Sequence, residues 1–302
     1  MNVFVTGASG LIGGTVAMRL LAAGHTVTGL TRDHTKAAAL AGLGIEPVVG
    51  TLDDAGVLAG QAARADAVVN AADSDHRPAV ETLVAALAGT GKALIHTSGS
   101  SIVATGTTGE RSDEVFTEDV LDSGWVPAHP LRTARLDIDR LVLSAADRDV
   151  RSAVLCNSLV YGRGRGLGRD SVLIAALVGQ ARAGGVVRHV GAGANLWSNV
   201  HVDDLADLYL LALEKSPPGT FYFVEGGEES FGAMAGAIAR SLGLPGPRSW
   251  DPDAPDNVWN HEFARHALGS NSRVRATRAR DLLGWRPRHR SITAWLAAAD
   301  LA

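Results

Sequence analysis

The sequence predicts an α/β fold, a Rossmann-type, doubly wound parallel sheet with a small C-terminal lobe. Short apolar runs alternate with amphipathic segments through the first half of the chain. Strands that alternate with helices of this length imply a parallel sheet covered on both faces. The pattern changes after residue 160, where shorter elements and irregular segments follow. We therefore expect a Rossmann core over residues 1–165 and a mixed segment over residues 166–302, which completes the sheet and forms the lobe.

The first half contains six candidate strands, each a short, apolar and β-prone run. They cover residues 2–6, 26–31, 46–49, 67–70, 93–97 and 152–157. Amphipathic spacing predicts helices between them, for example over residues 77–89 and 131–146. In such a sheet the ligand lies over the carboxyl ends of the strands, so binding residues are expected directly after each strand.

The second half contains fewer strands and longer connections. Helices are predicted over residues 172–183, 205–215 and 231–242, and a strand over residues 221–224. A loop rich in glycine and arginine spans residues 162–168, a segment around 195–202 is expected to return towards the sheet, and the proline-rich residues 245–255 are expected to be irregular. Residues 278–283, the turn Gly284-Trp285-Arg286-Pro287 and a last helix are expected to close a small lobe over the main sheet.

Three glycines follow the first predicted strand at the spacing of a dinucleotide-binding turn, and an amphipathic helix follows them. Gly7 can adopt the backbone angles of a sharp turn, Gly10 lets main-chain N–H groups approach a pyrophosphate, and Gly13 lets the helix lie close to its strand. The predicted cofactor-binding residues of this turn are Gly7, Ser9, Gly10, Leu11, Ile12 and Gly13. The alternative is a glycine-rich turn that binds nothing.

The end of the second predicted strand favours NADP(H) over NAD(H). An acidic side chain at this point would bind the adenosine ribose of NAD and repel a 2′-phosphate. This chain has Arg32 there, and a guanidinium can pair with a phosphate through two parallel hydrogen bonds. A solvated loop arginine is the alternative, and Asp33 stands next to it, so NAD(H) stays possible.

Small and polar residues follow the other strands where a bound cofactor would pass. Thr51 and Leu52, with Asp53, follow the third strand and are expected to border the adenine. The cofactor-binding residues predicted after the fourth strand and at the end of the fifth are Asn70, Ala71, Ala72 and Thr97.

Composition excludes several partner classes. The chain has 302 residues, 46% of them hydrophobic, and a formal net charge of −4, which gives no support for a nucleic-acid or membrane-surface partner. No apolar run approaches the roughly 20 residues that span a bilayer, and no basic region precedes the first strand as in a signal peptide. Cys156 is the single cysteine and lies in an apolar run, so we expect a core thiol, no internal disulfide and a cytoplasmic location.

Motifs along nearly the whole chain resemble those of the extended short-chain dehydrogenase/reductase family, also described as NAD-dependent epimerase/dehydratase-like proteins. They are Thr6-Gly-Ala-Ser-Gly-Leu-Ile-Gly13, Asn70-Ala-Ala72, His96-Thr-Ser-Gly99, Leu159-Val-Tyr-Gly162, Val200-His-Val-Asp-Asp204 and Leu283-Gly-Trp-Arg-Pro287. The resemblance implies a seven-stranded sheet, a partly helical C-terminal substrate lobe and, as in many members, a homodimer.

One departure from the family pattern affects the chemistry. Members usually carry Tyr-x-x-x-Lys on a helix, where the lysine holds the ribose and the tyrosine exchanges the proton. This chain has no Tyr-x-x-x-Lys; Leu131 replaces the tyrosine and Arg135 the lysine when the helix is aligned by Asp139. Arg135 can still hold the ribose or the nicotinamide end, but its high pKa makes it a poor proton donor. The family's serine or threonine after the fifth strand falls near Gly99, between Ser98 and Ser100.

Other side chains are candidates for the missing acid. His129 stands just before the Leu131 helix, and histidine is the usual general acid in proteins, although an exposed loop histidine is the alternative. Tyr161 borders the cofactor segment, with core packing as its alternative. Asp73 and Asp75 could bind a cationic substrate, but capping of the next helix is favoured.

Three further groups are expected to be structural. His201, Asp203 and Asp204 lack zinc-ligand spacing, so we predict no metal site and expect an aspartate to cap the helix that follows. Four tryptophans either line an apolar pocket or pack the core: Trp125, Trp197, Trp250 and Trp259. The arginines of the basic loop, Arg163, Arg165 and Arg169, either meet an anionic substrate or are solvated.

These observations favour an NADP(H)-dependent oxidoreductase that reduces a small C=O, C=N or activated C=C substrate. An imine fits the missing tyrosine, because a protonated C=N accepts hydride without a strong acid. The alternative is a catalytically silent protein that senses NADP or a small ligand. A sugar-nucleotide epimerase or dehydratase is disfavoured, because its first oxidation uses a tyrosinate base and none is found here.

Overall fold

The computed structural model describes residues 1–251, 253 and 259–301 and has a seven-stranded, fully parallel sheet at its centre. Its strands are β1 (Asn2–Thr6), β2 (Thr26–Thr31), β3 (Glu46–Val49), β4 (Ala67–Asn70), β5 (Ala93–Gly99), β6 (Arg151–Asn157) and β10 (Thr220–Val224). Their order across the sheet is β10-β6-β5-β4-β1-β2-β3. The Rossmann-type prediction is confirmed, and β10 from the second half of the chain completes one edge.

Helices cover both faces of this sheet. They are α1 (Leu11–Ala22), α2 (His34–Gly42), α3 (Ala55–Arg64), α4 (Arg77–Leu87), α5 (Pro130–Ser144) and α7 (Val202–Lys215). Successive side chains of β1 point to opposite faces: Val3 and Val5 join the core under α1 and α7, and Phe4 joins the core under α3, α4 and α5. Because both faces are buried, the strands are apolar runs rather than alternating ones.

The lobe is built from short strands and helices around a third core. Its strands are β7 (Leu159–Tyr161), β8 (Arg188–Val190), β9 (Leu196–His201), β11 (Gly227–Ser230) and β12 (Arg248–Trp250), and its helices are α6 (Val172–Gly184), α8 (Phe231–Ser241), α9 (His261–Phe263), α10 (Thr277–Leu283) and α11 (Ile292–Ala298). α10 and Trp285 pack on the core of the main sheet instead and tie the lobe to it. In the described part of the chain, no helix is both long and apolar enough to cross a membrane.

Several predicted boundaries differ from the observed ones. β5 runs two residues beyond the predicted end and β6 starts one residue earlier. The segment around 195–202 does not join the main sheet: β9 pairs with β7 and β11 in a separate three-stranded sheet. The region 245–255 contains the strand β12, which pairs with β8, and residues 252, 254 and 255 of that region lie outside the described part.

Candidate active site

The glycine-rich turn has the geometry that its sequence predicts. Gly7 has φ +71°, and a Cβ atom there would lie 2.6 Å from the carbonyl oxygen of Ala71. A Cβ atom on Gly13 would lie 2.4 Å from the carbonyl oxygen of Gly7, so α1 can sit against β1 only without that side chain. Both glycines are therefore fixed by backbone contact, and the turn brings β1, α1 and the end of β4 together.

A cleft of about 610 Å³ opens beside this turn at the carboxyl ends of β1, β2, β3 and β4. The predicted cofactor-binding residues that line it are Gly7, Ser9, Gly10, Arg32, Thr51, Leu52, Ala71 and Ala72. Lys36 and His76 line it as well and were not predicted. Lys36 lies in the first turn of α2, so recognising Asp33 as the N-cap of that helix was the signal that would have found it.

The cleft is lined by side chains of both charges: the cations Arg32 and Lys36, and the acids Asp53 and Asp73. Arg32 and Lys36 are both exposed, and their side chains make no ion pair with any residue that the structure describes. The Asp33 carboxylate does not face the cleft as a free acid, because it accepts N–H bonds from Thr35 (2.7 Å) and Lys36 (3.4 Å). Those bonds hold the pKa of Asp33 below its ordinary value.

The remaining predicted cofactor residues lie outside the lining of this cleft. Leu11 and Ile12 form the first turn of α1. Asn70 is buried, with its side-chain oxygen accepting from Thr6 at 2.6 Å. Thr97 hydrogen-bonds the hydroxyl of Tyr209 at 2.7 Å. Arg135 lies at a second polar centre.

This second centre joins α5, the loop after β4 and the turn after β5. Arg135 pairs with Asp75 through two hydrogen bonds, Nε to Oδ1 at 2.8 Å and Nη2 to Oδ2 at 2.6 Å. Its third nitrogen donates to the hydroxyl of Ser101 at 3.0 Å. Ser101 was not predicted; it follows Ser100 in the short helical turn Ser100–Val103 at the end of β5. Bidentate pairing fixes the guanidinium, which in turn orients the hydroxyl.

The position of the missing tyrosine is open and apolar. Leu131 is 71% exposed and lies one helical turn before Arg135, on the same face of α5. The site therefore presents a hydrocarbon surface beside a cation and a hydroxyl.

A buried polar chain runs under this centre from β1 to α5. The side-chain amide of Asn70 donates to Nδ1 of His96 at 3.0 Å, so Nε2 of His96 carries the proton and faces Asp139 Oδ1 at 3.9 Å. Ser98 donates to the other oxygen of Asp139 at 2.7 Å. Burial, followed by the charge of Arg135, lowers the pKa of His96 to about 4. Burial raises the pKa of Asp139 to about 7.

The structure separates the other predicted catalytic residues from one another. The Ser98 hydrogen is committed to Asp139, and Ser100 bonds Ser272 at 2.8 Å. The ring of Tyr161 is fully buried in the lobe core beside His201 and Trp295, which fits its packing alternative. His129 caps α5, accepting from the Leu131 N–H at 3.2 Å, and contacts Glu262.

Two predicted aspartate caps are wrong. The N-cap of α4 is His76, whose Nδ1 accepts from the Ala79 N–H at 3.2 Å, while Asp75 pairs with Arg135. The N-cap of α7 is His201, whose Nδ1 accepts from the Asp203 N–H at 3.2 Å. A neutral imidazole has a lone pair in the position of a carboxylate oxygen, which explains how it replaces the expected acid.

The tryptophans and the basic loop have structural contacts. Trp125 and Trp197 donate to the carbonyls of Ile102 and Ser270, and Trp250 is buried in the lobe core. Trp259 packs near Phe263. In the basic loop Arg165 pairs with Asp203 through two hydrogen bonds, and Arg163 and Arg169 are exposed.

The sequence is similar to a known family and to several known proteins. The profile of the NAD dependent epimerase/dehydratase family matches residues 3–224. Oxidase ucsJ of an Acremonium species is 34% identical over 95% of this chain and 92% of its own length. The 3-diazoavenalumate denitrifying reductase of a Streptomyces species is 28% identical over 96% of this chain and 97% of its own.

The fold is similar to that of dTDP-glucose 4,6-dehydratase from Bacillus anthracis, whose crystal structure contains NAD. The TM-score is 0.76 at 19% identity, covering 99% of this chain and 94% of the other. At that identity the similarity establishes the fold alone.

Proposed function

This chain belongs to the NAD dependent epimerase/dehydratase family, and we propose that it is an NADP(H)-dependent reductase of a small C=O, C=N or activated C=C substrate. It is an oxidoreductase-type enzyme that uses a nicotinamide coenzyme. The preference for NADP(H), the substrate class and the roles of the residues below form the proposal.

The preference for NADP(H) is supported by the two free cations at the adenosine end of the cleft. Arg32 follows β2, and Lys36 reaches the same cleft from the first turn of α2. A 2′-phosphate carries negative charge and would bind between them, because charge-assisted hydrogen bonds to phosphate are the strong ones. The acid next to Arg32 in sequence, Asp33, is held by the N-terminus of α2. Of the acids that line the cleft, Asp53 contacts His76 at 3.1 Å.

The substrate class is supported by the centre around Arg135. Bound coenzyme supplies the hydride at its nicotinamide ring, and the protein has to position the acceptor and stabilise the charge that develops on it. Arg135 donates to Ser101, which leaves the Ser101 hydrogen free to bond a substrate oxygen or nitrogen. Leu131 offers the apolar surface on which a small unsaturated substrate would lie.

The replaced tyrosine favours acceptors that need no strong acid at the hydride step. An imine protonated in water, or another nitrogen electrophile, meets this condition. The Streptomyces relative is named as a reductase of a diazo compound, which agrees with a nitrogen electrophile. For a ketone, the hydroxyl of Ser101 would have to deliver the proton from solvent.

The observation that carries this proposal is the free Arg32–Lys36 pair in the coenzyme cleft. Its test is binding and turnover with NADPH and NADH over a panel of cyclic imines, ketones and enones. We expect NADPH to bind at least tenfold more tightly than NADH, the preference to disappear in Arg32→Ala, and oxidation of NADPH with a member of the panel. Equal affinity for the two coenzymes would overturn the NADP(H) assignment. Tight NADPH binding with no turnover on any acceptor would favour the silent sensor instead.

A further inference from the structure

Three metal-ligating side chains converge where the lobe meets the core. Nε2 of His129 lies 3.1 Å from Oε2 of Glu262, and Nε2 of His266 lies 3.6 Å from the same oxygen. One donor atom from each residue lies within 4.8 Å of the other two. His129 belongs to the start of α5 in the core, whereas Glu262 and His266 belong to α9 and the turn that follows it.

The two separations from Glu262 suit one small divalent ion. Bonds of about 2.0–2.1 Å to imidazole nitrogen and carboxylate oxygen, in tetrahedral geometry, place neighbouring donor atoms about 3.3–3.4 Å apart. The two contacts to Glu262 lie on either side of this value. Two histidines and a glutamate form a ligand set that zinc uses in sites with an open fourth position.

The surroundings allow the donors to turn towards an ion. The side chains of His129 and His266 are 22% and 30% exposed, so an ion can enter from solvent. His266 lies in the π-helical turn Ala264–Leu268, a conformation that is frequent at functional sites.

The cap of α5 has to adjust when an ion binds. Nδ1 of His129 accepts the Leu131 N–H, so Nε2 carries the ring proton and donates to Glu262. Metal at Nε2 moves that proton to Nδ1, and the N–H of Leu131, near the protein surface, turns to water instead. The charge of the His129 ring does not change in this exchange, because a neutral imidazole has one proton in both tautomers.

We propose that His129, Glu262 and His266 form a binding site for one zinc-class divalent ion, which joins the lobe to the amino terminus of α5. The ion holds the lobe in a fixed position over the helix that carries Leu131 and Arg135. Its fourth position takes water or a polar atom of a ligand. The predicted absence of a metal rested on the spacing around His201; this cluster has no local spacing signal, because Glu262 lies 133 positions after His129.

Isothermal titration of the metal-free full-length protein with Zn²⁺, without coenzyme or substrate, tests the site. We expect one ion per chain with micromolar or tighter affinity. Loss of a group that merely supports a ligand costs about 10- to 100-fold in metal affinity, so His266→Ala, which removes a ligand, should cost about 100-fold or more. His129→Asn should lose the ion as well, although asparagine can still cap α5.

Two variants separate an ion site from a hydrogen-bonded contact. His261→Ala lies on the same short helix but removes an exposed ring that faces Asp253, so it should bind Zn²⁺ like the natural protein. Glu262→Gln can still accept the hydrogen bond from His129 but has no negative charge, so it should bind the ion much more weakly. Binding only at millimolar Zn²⁺, or equal affinity in His266→Ala and the natural protein, would overturn the site. Since coenzyme is absent, failure here leaves the proposed reductase activity untouched.

Discussion

Histidine performs a capping role at three helices of this protein. His76, His129 and His201 each accept a main-chain N–H at Nδ1, in all three cases at 3.2 Å. Aspartates stand close in sequence to two of these caps, and their usual preference for N-cap positions favours them. The structure uses those carboxylates elsewhere, as Asp75 pairs with Arg135 and Asp203 with Arg165. At the scale of the residue, a histidine at the N-cap leaves the nearby aspartate available to form an ion pair with an arginine.

In the proposed function, Ser101 accepts a hydrogen bond from Arg135 and donates its own hydrogen to the substrate. We expect Ser101→Ala to lower kcat/KM for a ketone substrate about 100-fold or more, since it removes the donor to the developing oxyanion. A protonated imine should lose less, because it needs no proton at the hydride step. Steady-state kinetics with NADPH and both substrates measures the difference. Equal losses for the two substrates would argue against this role.

Because Ser98 and His129 are candidate catalytic residues of the sequence, we predict that turnover is lost or strongly reduced in Ser98→Ala or His129→Ala. In the structure Ser98 donates its hydrogen to buried Asp139, and His129 holds the amino terminus of α5. Either variant could therefore act through positioning. The steady-state kinetics with NADPH should therefore include Ser98→Ala and His129→Ala as comparisons for Ser101→Ala.

At the scale of elements, the basic loop of residues 162–168 packs as a strap on the glycine-rich turn. A Cβ atom on Gly168 would lie 2.4 Å from the carbonyl carbon of Gly10 and 2.5 Å from the nitrogen of Leu11. One on Gly166 would lie 2.9 Å from the Cα of Gly14. The N–H of Arg165 donates to the hydroxyl of Thr15 at 3.2 Å. The strap and the predicted phosphate-binding turn therefore share one backbone interface.

Gly168→Ala tests this interface. The added methyl group has no space, so we expect a loss of about 1–3 kcal/mol in the free energy of unfolding and weaker coenzyme binding. Gly179→Ala is the matched control: it lies within α6 with nothing within 4 Å of an added Cβ, and should gain about 0.5–1 kcal/mol. Urea unfolding and coenzyme titration measure both effects. Unchanged coenzyme affinity in Gly168→Ala would show that the strap has no part in binding.

At the scale of the whole molecule, stability depends on pH through two buried groups that act in opposite directions. The folded pKa of His96 is about 4, below its ordinary 6.5, so its contribution is complete above pH 6.5 and is lost as the pH falls towards 4. The folded pKa of Asp139 is about 7, above its ordinary 3.8, so its contribution is complete below pH 3.8 and is lost as the pH rises through 7. Between about pH 4 and pH 6.5, a rise in pH increases the stability contribution of His96 and decreases that of Asp139, so the two changes offset each other.

Asp139→Asn should remove the Asp139 contribution to the pH dependence of stability and leave that of His96. The amide still accepts the Ser98 hydrogen bond but cannot ionise. Relative to the natural protein, we expect the variant to gain about 3 kcal/mol in unfolding free energy between pH 4 and pH 7. Asp137→Asn, a half-exposed position on the same helix, is the control and should show almost no such trend. Parallel pH profiles for Asp139→Asn and the natural protein in urea unfolding would contradict the assignment.

Local sequence was a good guide to the elements of the main sheet. The first four strands have their predicted limits. For β1 and β4, which are buried in the middle of the sheet, the reason is an apolar run that ends where the chain turns polar. The glycine spacing predicted the turn for the same local reason, since each glycine is required by its own backbone contact. The lobe was predicted less well: β9 pairs with β7 and β11 outside the main sheet, and β12 forms in a proline-rich region that was expected to be irregular.

By itself, the sequence determined the Rossmann-type sheet, the glycine-rich turn after β1, Arg32 directly after β2 and the absence of the tyrosine, because periodicity and motif spacing record these locally. Tertiary structure alone decided which side chains meet. The pairing of Arg135 with Asp75 and Ser101 spans three elements, and the contact of His129 with Glu262 spans core and lobe. Such contacts depend on how the helices pack on the sheet, and that packing cannot be derived from the local sequence.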